Sequence, residues 1–145
     1  QASGPAPNAR TMKPDIRRAD ESQEYFFEEG CFILELSNSA DDPGLSIARA
    51  RVEPGVKTRL HRLEGVVERY VILNGKGRVE IGGLPPEEVA PGDVVTIPPE
   101  CAQRITNTGI EDLVFLAICT PRFSKDAYSD VEDSPSACVA MQAQR

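Results

Sequence analysis

Short apolar runs, each closed by a turn signal, follow one another along most of this chain, and that punctuation constrains the fold more than any other feature. The runs fall at 31–37, 46–52, 57–63, 66–73, 77–81, 88–90, 94–98, 102–106 and 113–119, which supply at least eight strands. Between them lie Ala40–Asp41–Asp42–Pro43–Gly44, Pro54–Gly55, Gly82–Gly83, Pro85–Pro86, Pro91–Gly92–Asp93 and Asn107–Thr108–Gly109. Asn74–Gly75, set between two apolar runs, is the best short-range hairpin signal, because both residues tolerate positive φ. Helical periodicity is nearly absent. The pattern predicts an all-β, antiparallel chain that closes on itself or packs two sheets, and so protects its edges.

With 145 residues the chain suits one domain with one core. Its net charge of -7 argues against a nucleic-acid partner, whose affinity would come from clustered Lys and Arg. No run reaches about 18 consecutive apolar residues, so no membrane partner is expected and the predicted location is the cytoplasm. Cys31, Cys101, Cys119 and Cys138 lack paired spacing and have apolar flanks, which predicts free thiols that pack as small hydrophobes rather than a four-thiolate zinc site. A single histidine, His61, excludes any centre that needs two imidazoles.

Alternation along a strand puts Arg59, His61 and Leu63 on one face, and Glu68, Tyr70 and Ile72 on one face of the next strand. A hairpin around Glu64–Gly65 would make His61 and Glu68 cross-strand neighbours. Such a pair serves as metal ligands, as an acid–base couple, or as a hydrogen-bonded structural pair. Arg59, Arg49 and Arg51 are candidates for binding a carboxylate or phosphate, against the alternative of solvated strand faces. Tyr70 could orient a substrate or donate a proton. Ile72, Val79, Ile81, Val95, Ile97, Ile105, Phe115 and Leu116 are expected in the core, and Cys101, near Gln103, is a minor candidate for a soft ligand.

Gly55, His61, Glu68 and Gly75 resemble the first motif of the cupin superfamily, G-x5-H-x-H-x(3,4)-E-x6-G, with Leu63 in place of the second histidine. Downstream, Gly92, Pro98, Gln103 and Asn107 resemble the second motif, G-x5-P-x-G-x2-H-x3-N, with Glu100 at the glycine position and Gln103 at the histidine. The resemblance spans roughly residues 30–121 and implies a double-stranded β-helix, or jelly-roll, antiparallel barrel. It also implies a divalent metal (Zn, Mn, Ni or Fe) at His61, Glu68 and Gln103, weakened because two motif histidines are replaced; a glutamine ligand also resembles that of some zinc-dependent sugar-phosphate isomerases of the superfamily.

From these readings come a barrel at 25–123, an N-terminal segment at 1–24 that is flexible or exchanged between subunits, and a polar tail at 124–145. Met12 is a candidate for the natural start. The expected function is a small-molecule protein, an isomerase- or lyase-like enzyme acting on an anionic sugar or carboxylic acid, with Tyr70 or Glu100 moving a proton. The alternative is a non-catalytic binding or sensing module with a degenerate metal site. A homodimer is expected, as the resemblance to small cupins implies.

Overall fold

The computed structural model describes residues 12–133. Eleven strands form among them: β1 (Tyr25–Phe27), β2 (Cys31–Ser37), β3 (Ser46–Val52), β4 (His61–Leu63), β5 (Val67–Asn74), β6 (Gly77–Ile81), β7 (Glu87–Val89), β8 (Val94–Ile97), β9 (Gln103–Asn107), β10 (Leu113–Thr120) and β11 (Tyr128–Asp130). One sheet has the order β1-β2-β3-β10-β5-β8 and the other β11-β4-β9-β6-β7. Every pairing between these strands is antiparallel. The two sheets make a double-stranded β-helix: the antiparallel two-sheet arrangement is that expected from the punctuated sequence, and the β-helix is that implied by the motif resemblance. Among the described residues no helix is long and apolar enough to cross a membrane.

Period-two burial builds the core. In β5, Glu68, Tyr70 and Ile72 turn inward while Val67, Arg69 and Val71 remain partly exposed. The main apolar cluster includes Val52, Ile72, Val79, Val95, Ile97, Ile105, Leu113 and Phe115, with Ile81 packed against it. Leu116 is not part of it: it pairs with Arg49 and Val71 on the outer face, because its neighbour Phe115 takes the inward position. Asn107 is buried and ties three segments together, donating to the carbonyls of Val52 and Glu111 at 2.8 Å each and accepting from Gly109 N–H at 2.9 Å.

Three local expectations change. Asn74–Gly75 does not close a hairpin: β5 and β6 belong to different sheets, so the turn is a corner that carries the chain across the barrel. Gly75 is needed there twice over, since its φ is +85° and a Cβ would stand 2.7 Å from the Asp112 carbonyl oxygen. The run at 57–63 is strand only at its end, with Lys57 making an isolated bridge to Thr106. The first part of the polar tail is built into the barrel, because β11 pairs with β4 and Val131 packs on Leu60 and Ala102. Cys138 and the rest of that tail lie outside the described residues.

Candidate functional site

His61 opens β4, and its imidazole is fixed at both nitrogens. Nδ1 lies 2.7 Å from the Arg59 carbonyl oxygen, an acceptor, so Nδ1 carries a hydrogen. Nε2 lies 3.2 Å from Glu29 Oε2. Glu29 comes from the tight β1–β2 turn, where Gly30 at φ +106° lets the chain reverse and Arg59 N–H donates to the Glu29 carbonyl at 2.7 Å. The ring of Tyr128, in β11, stacks on the imidazole at 5.2 Å and 24°. Phe27 then meets Tyr128 edge-on at 5.0 Å.

Glu68 faces this group from the opposite sheet. It lies on β5, paired with Ile97 and Cys119, while His61 pairs in register with Gln103. The expected His61–Glu68 hairpin neighbours are therefore opposed across the barrel, for β4 and β5 lie in different sheets. Both residues line one cavity together with Glu29, Leu63, Cys119 and Tyr128. Glu68 is only 9% exposed, and burial pushes its carboxyl up to about 7, against the pull of His61 and with a further push from Glu29. The Cys119 thiol approaches Glu68 Oε2 at 3.6 Å, whereas Glu68 Oε1 has no well-formed hydrogen bond. Cys31 does the same for Glu29, donating to its Oε1 at 3.0 Å. Burial raises both thiols, so each remains a neutral donor to its carboxylate.

Gln103 and Tyr70 sit behind the cavity wall. Both are buried, and the Tyr70 hydroxyl donates to Gln103 Oε1. Tyr70 also packs on Phe115 with ring centroids 4.4 Å apart, and burial holds its hydroxyl well above the usual range. It is placed to fix the Gln103 amide rather than to reach a ligand. The three residues expected to hold a metal do not fit one in this arrangement. With its oxygen engaged by Tyr70, Gln103 acts on Glu68 through its amide N–H, and an amide nitrogen offers no lone pair to an ion. Among the described residues no three of His, Cys, Asp and Glu are grouped to share a metal.

The remaining sequence candidates lie elsewhere. Arg49 and Arg51 point away from the cavity, because Ser46 and Ala48 of the same strand line it and alternation turns the arginines outward. Arg49 is bound by Glu21 and Glu24, and Arg51 by Glu24 and Asp112. Arg59 pairs with Asp130 at 2.5 Å and Asp133 at 3.2 Å on the surface. Glu100 is exposed and takes a φ of +63°, the left-handed backbone that the motif's glycine would adopt. Its carboxylate accepts from Gly65 N–H at 2.6 Å, which braces the loop after β4. Cys101 is buried with its thiol raised by burial and does not line the cavity.

Glu29 and Tyr128 escape a sequence reading. Glu28–Glu29–Gly30 looks like any acidic turn, and Tyr128 stands in a polar tail with no periodicity. Leu63, in contrast, lines the cavity as an apolar wall and packs with Val66 and Cys119.

A two-sheet β-helix with a histidine and a glutamate opposed inside it defines a small barrel protein with an internal polar site. This chain belongs to the cupin family: residues 48–119 match the family model described as Cupin domain. An uncharacterized protein of Methanocaldococcus jannaschii is 33% identical over 118 residues, covering 80% of this chain and 94% of that protein. The glucose-6-phosphate isomerase of Thermococcus onnurineus is 26% identical over 140 residues, covering 80% of this chain and 72% of that enzyme. Among solved structures, KdgF from Halomonas sp. superposes with a TM-score of 0.68 at 17% identity, over 79% of this chain and 99% of that one. The nucleoside dehydratase Pac13 superposes with a TM-score of 0.67 at 15% identity, over 81% and 92%. At those identities the two structures speak for the fold alone.

Proposed function

We propose that this cupin performs proton transfer on a small hydroxylated carbonyl compound, as an isomerase or lyase, with the His61–Glu29 pair and Glu68 as its acid–base groups. One observation carries the reading: a carboxyl held near pH 7 faces an imidazole–carboxylate pair across a cavity. Groups whose surroundings separate their proton affinities are what general acid–base chemistry requires at neutral pH.

In the proposed step, protonated Glu68 gives its hydrogen to a substrate carbonyl oxygen as the His61–Glu29 pair takes a hydrogen from the adjacent carbon. The C–H electron pair becomes a carbon–carbon double bond, and the carbonyl π pair moves to oxygen. Delivery of that proton to the former carbonyl carbon, while Glu68 takes back a proton from the hydroxyl of the adjacent carbon and that C–O becomes the new carbonyl, gives an isomer. Departure of a β-hydroxyl with that proton as water, while the enol hydroxyl returns its proton to Glu68 and the carbonyl re-forms, gives an elimination. Tyr128 holds the imidazole plane, and Leu63 keeps the wall apolar. Relatives described as glucose-6-phosphate isomerases support the isomerase arm of the reading.

The test is solvent exchange. The full chain, treated with EDTA, is incubated in D2O with a panel of aldoses and ketoses, and deuterium entry at the carbon beside the carbonyl is followed by NMR. Exchange is expected with wild type and is expected to fall by on the order of 100-fold or more in Glu68→Gln and His61→Asn. Equal exchange in folded variants overturns the assignment. Absence of exchange alongside saturable binding supports the binding module instead. The exposed Phe26 on edge strand β1 supports pairing of two copies through that edge, which sedimentation equilibrium tests.

A further inference from the structure

Carboxyl groups outnumber every other ionisable acid or base in the lining of the cavity, where among the described residues His61 is the one side chain able to carry a positive charge. Glu29, Glu35 and Glu68 all line it, and among the described residues its lining contains no Lys or Arg. The arginines nearest to that role are engaged: Arg49 and Arg51 lie outside in ion pairs, and Arg122, whose charge faces Glu35, donates to Asn38 at 2.7 Å. Lys125 lines the adjoining surface groove rather than the cavity. The rest of the wall includes aromatic faces, Tyr25, Phe27, Phe123 and Tyr128. Rings and carboxylates together form the surroundings in which an ammonium group is stabilised, by ring quadrupoles and by direct charge.

A second observation points the same way. Glu68 is more than nine-tenths buried, lines the cavity, and has an oxygen, Oε1, without a well-formed hydrogen bond, the Gln103 amide being the neutral group that acts on the carboxyl from behind the wall. A buried acceptor left open is costly unless something arrives to satisfy it. An N–H donor carried by a ligand would do so.

We propose that this pocket selects its ligand by charge, accepting a small hydroxylated compound that carries an ammonium group and rejecting phosphorylated or carboxylated ones. The inference rests on the small-molecule reading above and departs from the anionic ligand expected from Arg49, Arg51 and Arg59, which lie in surface ion pairs. A dianionic phosphate entering this cavity would meet three carboxyl side chains and none of the guanidinium forks that normally receive it.

A matched series of probes tests it: glucosamine, glucose and glucose 6-phosphate share one ring and differ in charge. His61 is the sole histidine, so its imidazole NMR signals report binding in the cavity of the full chain without ambiguity. With EDTA present at neutral pH, glucosamine is expected to shift those signals at about tenfold lower concentration than glucose, and glucose 6-phosphate to be without effect. In Glu29→Gln the advantage of glucosamine over glucose is expected to shrink severalfold. Tighter binding of glucose 6-phosphate overturns charge selection and leaves the small-molecule site standing, as does equal binding of glucosamine and glucose. If all three probes leave His61 unmoved, charge selection and the small-molecule reading both fall.

Discussion

Replacing Glu68 by Gln should flatten the pH dependence of stability between mildly acidic and mildly alkaline conditions. In the folded protein the Glu68 carboxyl is held at about 7, above an ordinary value of 4.5, mainly by burial. A carboxyl raised by folding binds its proton more tightly in the native state than in the unfolded chain. Its contribution is therefore fully present below pH 4.5 and is lost as pH rises through 4.5 towards 7. At about 1.4 kcal/mol per pH unit, the gap between these values gives a loss of about 3 kcal/mol by pH 8. For a chain of this length that corresponds to a fall in Tm of about 6–12 °C. Glu29, His61, Cys119 and Tyr70 face the same carboxyl and remain in both proteins, so the difference between wild type and Glu68→Gln isolates the Glu68 contribution. The assay is urea unfolding with EDTA at a series of pH values. The variant's advantage over wild type is expected to grow by about 3 kcal/mol from pH 4.5 to pH 8. Parallel profiles, within about 0.5 kcal/mol, would refute the burial argument and with it the acid role given to Glu68.

Gly75→Ala should cost about 2–4 kcal/mol in urea unfolding, since the new Cβ meets both a left-handed backbone and the Asp112 carbonyl. Glu100→Gly should leave stability within about 1 kcal/mol, because relief of the left-handed backbone offsets the lost hydrogen bond to Gly65. The same variant should keep full deuterium exchange; loss of exchange would return Glu100 to the chemistry. Arg49→Ala with Arg51→Ala should leave the His61 NMR signals and exchange unchanged, and a shifted imidazole would contradict their placement on the outer face.

The barrel was legible because turn residues and alternation act locally. β2, β3 and β6 appear with the predicted bounds, and their boundaries are marked by Gly, Pro, Asp and Asn that stop a strand wherever it sits. Alternation also put Glu68, Tyr70 and Ile72 on one face of their strand, and that face is the inward one. What strand pairs with what was not legible: Asn74–Gly75 is a turn in either reading, and its local chemistry does not reveal whether the next strand returns to the same sheet or leaves it. Strands β1 and β11 were missed because three-residue strands at the ends of a sheet carry too little periodicity to register.

The site divides along the same line. From its residues alone the chain sets a turn-punctuated antiparallel β chain and one imidazole, which follow from composition and strand alternation, while the grouping of His61, Glu68 and Gln103 comes from the resemblance of two altered motifs to those of cupins. Only the tertiary structure brings Glu29 from a turn and Tyr128 from the tail against His61, moves Tyr70 and Gln103 behind the wall, and binds the arginines to surface carboxylates. The reason is physical. Proton affinity and ligand charge depend on burial and on which charges lie within a few ångströms, and those distances are set by contacts between residues far apart in the chain.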